Sequence, residues 1–542
     1  MVILLNTLFF LLFVIISQFS IMGYGIPIKK ILINHKFINH KHYEMLFEFI
    51  LGLIFLNLIG FILFFSSISN PFINMIFFLF GFLIYYKNYS PEKKKFEKTI
   101  IIIISIMFIG ILISKTHEDY LAYHFSYIDL IYNSDFVAGL GNLEIGYNYT
   151  PFIAYLQKIF IIPHYNFKLL HIPIFLIFLN ICFFLISDVF FKKNINLIFF
   201  ILLLFIIFKF TRLSEFGYDY PAGFLLLVIF IIFDYSIKNN IKLSPILFLI
   251  IYLYSVSIKI TSLFFLPIIF FIVLKSMNYE KKMKFVINKT TYKRSIFFVC
   301  LLTFFILDNF FKSGCLMIIF KASCFNAEMI PWAVDYNKIS DYGLHVNLWA
   351  KGFYHQNYKI SDPFIYLSFS NWFPIWLKEH FFYKVFEFNL LLIFVSLIIL
   401  ILYKNQLNFN LNNKFNHKIF FIFCSLISII IWISNLPQLR FGFYNIICFY
   451  LLLIQLFIKT EIKVEKKKLV NFLIIFSLLF YFSSNLLRIK KELERNDRYK
   501  FVNFPFESGT NYAVDKSFEE RYKNTLKFQQ KEKKIILYLS NK

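Results

Sequence analysis

Long apolar runs alternate with short polar segments along most of the chain. A helix needs about 20 predominantly apolar residues to cross the hydrocarbon core of a membrane. The pattern predicts an all-α polytopic membrane protein, with a transmembrane helix at each run. We count about fourteen such runs, at residues 2–21, 46–66, 71–86, 100–114, 169–190, 197–210, 222–235, 243–257, 261–274, 296–310, 388–403, 419–433, 443–458 and 469–487.

Lysine clusters follow the odd-numbered runs, as at residues 29–41, 87–98 and 459–468. Because Lys and Arg concentrate in the cytoplasmic loops of membrane proteins, we expect the odd-numbered loops to face the cytoplasm and the even-numbered loops to face outward. An even number of spans also places the charged tail outside. The predicted order is N-terminal helices (1–114), a first outer loop (115–168), central helices (169–311), a large outer loop (312–387), C-terminal helices (388–488) and the tail (489–542).

Composition supports a membrane location and excludes an ordinary soluble enzyme. Hydrophobic residues make up 59% of the chain and charged residues 16%, whereas soluble domains average about 25% charged residues. The formal net charge of +25 would by itself suggest a nucleic-acid partner. The lysines are instead divided among loops between apolar runs, so we expect contact with membrane lipid and no nucleic-acid partner.

The first outer loop carries an acidic pair, Glu118 and Asp119, where the fourth run emerges from the membrane. A carboxylate at this depth needs water, a partner or a ligand. It would serve as a general base or hold a divalent cation, and the alternative is a helix N-cap. Tyr123 and His124 follow at helical spacing. Two interfacial amphipathic helices, near residues 120–131 and 150–162, are expected in this loop.

Four further charged residues fall in the other short outer segments, namely Arg212, Asp219, Lys259 and Arg440. The arginines suit phosphate, which a guanidinium binds through two parallel hydrogen bonds. Asp219 would hold an acceptor hydroxyl or a metal, and Lys259 would neutralise a lipid diphosphate. Each residue also has a structural interpretation, because ion-paired turns, snorkelling lysines and interfacial anchors are common in membrane proteins.

The large outer loop contains a cysteine pair, Cys315 and Cys324, together with several aromatic residues. An oxidising compartment would allow these cysteines to form a disulfide that closes a small loop. Its four tryptophans would stack on sugar faces or belong to an interfacial aromatic belt; they are Trp332, Trp349, Trp372 and Trp376.

The string from Glu118-Asp119-Tyr120 through Tyr123-His124 to Tyr127, followed by Gly139-Leu140-Gly141-Asn142, resembles the GT-C class of integral-membrane glycosyltransferases and a family of bacterial multi-pass envelope proteins with that architecture. The resemblance covers roughly residues 115–440. In GT-C enzymes this loop usually follows the first helix, whereas here three helices precede the span that leads into it.

The resemblance implies transfer of a sugar from a polyprenyl-phosphate-linked donor to a cell-envelope glycan, at the outer face of the bacterial inner membrane. Asp119, or Glu118 in its place, would be the base or a metal ligand, and Arg440 would hold the donor phosphate. The remaining candidates for the substrate pocket are Tyr123, His124, Arg212, Asp219 and Lys259. This hypothesis requires Asp119, Asp219 and Arg440 to converge at one outward-facing pocket.

Two alternatives remain at this point. An O-antigen polymerase or ligase would use basic and His residues of the large loop at 312–387. A non-catalytic transporter of lipid-linked glycans would carry charges near the middle of the membrane. The membrane-embedded charges are predicted to be few and to cluster at one face, which argues against the transporter and leaves the polymerase or ligase open.

Overall fold

The computed structural model describes residues 2–33, 41–112, 124–163, 169–192, 194–211, 213, 217–239, 241, 243–281, 289–353, 363–404, 415–458, 461–463 and 467–494. Its helices are α1 (Val2–Leu32), α2 (Lys41–Phe65), α3 (Pro71–Lys87), α4 (Lys94–Met107), α5 (Phe125–Asn133), α6 (Ala154–Ile159), α7 (Ile172–Phe191), α8 (Leu197–Lys209), α9 (Asp219–Lys238), α10 (Pro245–Ile258), α11 (Leu266–Lys281), α12 (Lys289–Ser313), α13 (Tyr336–Ala350), α14 (Phe369–Trp376), α15 (Phe386–Leu402), α16 (Phe415–Asn435), α17 (Phe443–Phe457) and α18 (Lys467–Glu494). Two short strands, β1 (Asn194–Asn196) and β2 (Glu461–Lys463), pair antiparallel. The described part is otherwise helical or irregular, as the predicted fold class requires.

Nine helical stretches in these ranges are long and apolar enough to cross a membrane. Four more apolar helices, α3, α8, α10 and α17, are shorter, and the fourth predicted run falls on α4. The 13 residues of α8 rise only about 20 Å, less than the hydrocarbon thickness of about 30 Å. Other helices enclose α8, so it need not meet lipid along its whole length. The chain is a multi-pass membrane protein, and fourteen complete crossings remain a prediction.

Apolar side chains cover the outside of the bundle as well as its interior. Phe72 on α3, Ile401 on α15 and Phe472 on α18 are 60–65% exposed, and many similar residues surround them. Nearly every side chain of α7 and α9 is buried. Water would disfavour such an outer surface, whereas lipid tails match it. The peripheral helices therefore carry the apolar outer surface that a lipid-facing side requires, and α7 and α9 form the centre.

Contacts between loops join segments of the same predicted side. At one end, Arg294 donates to the carbonyl of Leu32, which joins the loops after the first and ninth runs, and β1 pairs with β2, which joins the loops after the fifth and thirteenth runs. At the other end, Arg488 donates to the carbonyl of Gly110 at 3.0 Å, which joins the ends of the fourth and fourteenth runs. The odd-numbered and even-numbered loops therefore gather at separate ends, as the charge pattern predicted.

The first outer loop enters the bundle and does not lie flat on its surface. Residues 125–131 of α5 and all six residues of α6 are buried. The backbone N–H of Leu156 in α6 donates to the Asn57 side chain of α2 at 2.8 Å. The predicted interfacial position of these helices is therefore wrong for the described residues, because neighbouring elements cover the face that would meet water or lipid.

The large outer loop packs against the first. Tyr342 of α13 stacks on Tyr149 with ring centroids 5.4 Å apart, and Cys315 and Cys324 form the expected disulfide. Its last part is already helical, since Phe369–Leu402 runs continuously through α14, a π-helical segment (Leu377–Val385) and α15. The eleventh helix thus begins well before residue 388, and Trp372 and Trp376 are buried and do not form an interfacial belt.

Buried ion pairs occur at both ends of the bundle, which corrects the expectation that embedded charges cluster at one face. At the end of the odd-numbered loops, Glu48 accepts from Lys29 at 2.7 Å and from Lys93 at 2.8 Å. At the other end, Lys312 contacts Asp308 at 2.7 Å, with both side chains less than 5% exposed. A charge buried in a protein needs such a partner, since desolvation without one is costly.

Two buried lysines at the outer end differ in their pairing. Lys312 also donates to the carbonyl of Thr150, and Asp308 accepts from the hydroxyl of Tyr155 at 2.7 Å. The Lys158 amine is 5.5 Å from the Phe64 ring centroid and makes no hydrogen bond within the described residues. Burial lowers the pKa of Lys158 from 10.5 to about 7.

We expect Lys158→Met to raise the melting temperature of the purified protein, more at pH 7 than at pH 10. A lysine whose folded pKa lies below its unfolded value destabilises the fold at low pH, and this effect diminishes as the pH rises from about 7 towards 10.4. The matched variant Lys312→Met should instead lower stability, on the order of 3–5 kcal/mol, because it strands the buried Asp308 carboxylate. Equal destabilisation by both variants would contradict this difference.

Candidate functional site

Three of the predicted site residues meet at the end of the even-numbered loops. The Lys259 amine is 3.0 Å from one oxygen of the Asp219 carboxylate, and the Arg440 Nε is 3.7 Å from the other. These residues are separated by up to 221 positions in the sequence, and they come from three different loops. We call Asp219, Lys259 and Arg440 the outer charge cluster.

The other candidates stand as follows. Four of them lie outside the described residues, so their predicted place in the pocket stays a prediction; they are Glu118, Asp119, Tyr123 and Arg212. The fifth candidate, His124, is buried, and its ring packs edge-on against the ring of Tyr218 at 4.4 Å. Since Tyr218 immediately precedes Asp219, the described start of the first outer loop borders the outer charge cluster.

Asp219 is the first residue of α9, where the helix dipole favours a negative charge. Its side chain is only 10% exposed. The residue before it is fixed by a hydrogen bond from the Tyr218 hydroxyl to the Gln157 side chain of α6, at 2.9 Å. Gly223, one turn further on, packs so closely on Phe443 that an added Cβ would lie 2.3 Å from that ring. These contacts hold the start of α9 against α6 and α17.

Lys259 lies at a break between two helical segments. It ends α10 in an extended conformation and precedes a 3-10 segment, Ile260–Phe265. The Tyr444 hydroxyl donates to the carbonyl of Thr261 at 2.8 Å, and the Ser255 and Ser262 hydroxyls are 2.9 Å apart. Hydrogen bonds inside the bundle thereby fix the turn that aims Lys259 at Asp219.

Arg440 lies in a short 3-10 turn (Leu439–Phe441) before α17. The indole N–H of Trp376 donates to the carbonyl of Pro437, and that of Trp432 donates to the carbonyl of Gln438 at 2.8 Å. Gly442 packs against Trp432, and a Cβ there would lie 2.3 Å from its ring. Two tryptophans and one glycine therefore determine the path of this turn.

Aromatic rings cover the cations of the cluster. The guanidinium carbon of Arg440 is 4.7 Å from the Trp349 ring centroid and 4.8 Å from that of Phe441. The Lys259 amine is 5.4 Å from the Phe441 ring. These distances suit cation–π attraction. Trp349 of the large loop therefore borders the outer charge cluster, and its stacking on a sugar stays a prediction.

Two further residues of the large loop region were missed by sequence reasoning. His380 and Lys384 lie one turn apart on the π-helical segment, and both interact electrostatically with Arg440. His380 is buried, and it also contacts the backbone of Trp349. Trp376, His380 and Lys384 are spaced four residues apart. This spacing in the sequence indicates that they share one helix face.

The outer charge cluster combines one nearly buried carboxylate with two partly exposed cations, 28% exposed for Lys259 and 32% for Arg440. The carboxylate holds the cations in place but leaves a net positive charge. The Arg440 contact of 3.7 Å is too long for a hydrogen bond, and the buried Arg440 Nε makes none within the described residues. The arrangement suits a phosphate group. Among the described residues, no three His, Cys, Asp or Glu side chains lie together as metal ligands.

We expect Gly442→Ala to lower the melting temperature of the purified protein, because the methyl group would collide with Trp432. Overpacking of this kind costs about 1–3 kcal/mol. The control is Gly343→Ala in α13, where the nearest atom is the Tyr149 hydroxyl at 3.8 Å. That change should be neutral or stabilising by up to about 1 kcal/mol. Thermal unfolding in detergent measures both, and an unaffected Gly442→Ala protein would show that the turn is not tightly packed.

Comparison with known proteins places the chain in a family without assigning a reaction to it. A family model described as "Domain of unknown function (DUF8201)" matches residues 7–447. Neither the curated proteins nor the solved structures give a match. The matched region includes Asp219, Lys259 and Arg440, and it spans well over half of the chain. The chain therefore belongs to the DUF8201 family.

Proposed function

We propose that this protein is a membrane glycosyltransferase of the GT-C type. It would transfer a sugar from a polyprenyl-phosphate-linked donor to a cell-envelope glycan, at the outer face of a bacterial inner membrane. The observation that carries the proposal is the convergence of Lys259 and Arg440 on Asp219, at the end where the even-numbered loops gather. A cationic site beside lipid-facing helices suits the phosphate of a lipid-linked donor.

The cations would act on the leaving phosphate. In the transfer step the bond between the sugar C1 and the phosphate oxygen breaks, and a bond from C1 to the acceptor oxygen forms. Negative charge then increases on the lipid phosphate, and Arg440 and Lys259 would stabilise it through hydrogen bonds to the phosphate oxygens. Asp219 is a positioning residue, since both of its carboxylate oxygens face the two cations.

The acceptor hydroxyl must lose a proton, and the resemblance assigns that role to Asp119 or Glu118. Support from the described part is indirect, because His124 follows this acidic pair and lies next to Tyr218 beside the cluster. A carboxylate within hydrogen-bond reach of the hydroxyl would serve as the base. A divalent cation held by the same carboxylates is an alternative way to activate the acceptor.

We expect Arg440→Ala to reduce sugar transfer about 100-fold, the usual effect of removing one donor that stabilises developing negative charge. Arg440→Lys should restore part of the activity, because it keeps the charge but loses the paired N–H geometry. Asp119→Asn should stop transfer while leaving donor binding intact. Mass spectrometry of lipid-linked glycans in the native host measures accumulation of the loaded donor.

The matched control is Lys87→Ala, which removes an exposed lysine at the opposite end of the bundle. It should leave the lipid-linked glycans unchanged. Unchanged envelope glycans in both Arg440→Ala and Asp119→Asn strains, with normal amounts of folded protein, would contradict the transferase proposal.

One observation favours an O-antigen polymerase or ligase as the second candidate. Arg440 is flanked by Trp349 and lies near His380, and both belong to the region at 312–387 that such enzymes would use. The two candidates differ in the donor. A transferase moves one sugar from a polyprenyl monophosphate, whereas a polymerase or ligase moves a preassembled glycan from a diphosphate.

The accumulated lipid in a Trp349→Ala strain should distinguish these reactions. We expect a polyprenyl phosphate carrying a single sugar, because the transferase would stall with its donor bound or unused. A matched Trp332→Ala strain changes a tryptophan of the same loop that packs on Phe310 and not on Arg440. Accumulation of a complete oligosaccharide diphosphate in the Trp349→Ala strain would instead establish the polymerase or ligase.

A further inference from the structure

A second cationic feature lies at the far end of the bundle. A cavity of about 800 Å³ opens where α2 and α4 begin and α7 ends. Lys192 lines this cavity, and its amine is 4.6 Å from the ring centroid of Tyr235, near the end of α9. Asp219 is at the start of that helix, 16 residues away, so the cavity is separated from the outer charge cluster by about 24 Å along the helix axis.

The cavity lining is strongly basic. Five lysines contribute to it and one carboxylate, Glu92, opposes them; the lysines are Lys41, Lys94, Lys95, Lys98 and Lys192. The lining therefore carries a formal charge of +4. All five lysines belong to the loops after the first, third and fifth runs, which the charge pattern places in the cytoplasm.

Two of these lysines already have carboxylate partners in the protein. Lys41 contacts Glu92 at 3.1 Å and Glu44 at 3.2 Å, and Lys192 contacts Asp188. Their charges are largely compensated, and they form the fixed wall of the cavity.

The other three lysines have no carboxylate partner among the described residues. Lys94, Lys95 and Lys98 are exposed and lie on the first turns of α4. Three like charges at this spacing repel one another, and an external anion would relieve the repulsion. The uncompensated charge of the cavity therefore faces its opening.

The floor of the cavity is apolar and aromatic. The Lys95 amine is 4.9 Å from the Phe191 ring centroid and 5.0 Å from that of Phe96. Phe191 is 39% exposed, and it meets Phe96 edge-on at 4.8 Å. An occupant that suits both surfaces has an anionic group beside an apolar part, as a membrane phospholipid has.

We propose that this cavity binds the phosphate head group of an anionic membrane lipid. Basic pockets between transmembrane helices on the cytoplasmic side are suited to such head groups, whose phosphate accepts hydrogen bonds from several ammonium groups at once. The lipid would compensate the three lysines of α4 and fill the space between α4 and α7. This site is separate from sugar transfer, and it would stabilise the opposite end of the bundle.

Native mass spectrometry of the full chain in neutral detergent tests the proposal, with dioleoyl phosphatidylglycerol and dioleoyl phosphatidylcholine as probes. The wild type should bind the anionic lipid preferentially. The variant Lys94→Gln/Lys95→Gln/Lys98→Gln should bind it at least about tenfold more weakly, because each lysine near an anionic head group contributes to affinity. The single variant Lys98→Gln should lose part of the affinity, and it serves if the triple variant does not fold.

The matched control is Lys30→Gln/Lys87→Gln/Lys468→Gln, which removes three exposed lysines from loops on the same predicted side but outside the cavity. It should bind phosphatidylglycerol like the wild type. Equal loss in both triple variants would show a diffuse charge effect and overturn the site. Unchanged binding in the cavity variant would show that these lysines serve only topology.

The source of the phosphate is tested separately. Sodium pyrophosphate, added to the protein in phosphatidylcholine nanodiscs, should raise its melting temperature much less than phosphatidylglycerol does in the bilayer. Equal stabilisation by free pyrophosphate, lost in the cavity variant, would overturn the lipid assignment in favour of a soluble anion.

Discussion

A carboxylate buried at the end of an apolar helix must be paired with a cation, and this requirement organises both ends of the bundle. Asp219 meets Lys259 and Arg440, and Glu48 meets Lys29 and Lys93. Asp219 and Arg440 are 221 positions apart, and Glu48 and Lys93 are 45 positions apart. Desolvation makes an unpaired charge at these positions costly, so the ion pairs fix which helix ends lie together.

Both ends of the bundle are held by ion pairs, but the two ends differ in the positive charge that is left unpaired. At the outer end the cations exceed the carboxylate by one, and aromatic rings cover them, so a site remains that suits one phosphate. At the other end three lysines of α4 remain without carboxylate partners among the described residues. The proposed transfer and the proposed lipid site therefore depend on the same physical principle, applied at opposite faces of one bundle.

Close packing gives the outer cluster its geometry. The Arg440 turn is held by two indole hydrogen bonds, from Trp376 and Trp432, and by the approach of Gly442 to Trp432. The start of α9 is held by the approach of Gly223 to Phe443. A close-packed interior allows few arrangements of its side chains. Uncharged packing residues therefore set the positions of Asp219 and Arg440.

The sequence by itself determined the helical class, the positions of the apolar runs and the separation of the loops into two sets. It also singled out Asp219, Lys259 and Arg440 as candidates, because ionisable residues beside membrane-spanning runs are functional candidates by default. Periodicity could not show that α5 and α6 enter the bundle, because an amphipathic stretch packs equally well on protein or at a membrane surface. Only the tertiary structure decided that Trp349, His380 and Lys384 adjoin Arg440 and that five lysines share one cavity. Those contacts join distant segments, and no local pattern in the chain encodes which helix ends become neighbours.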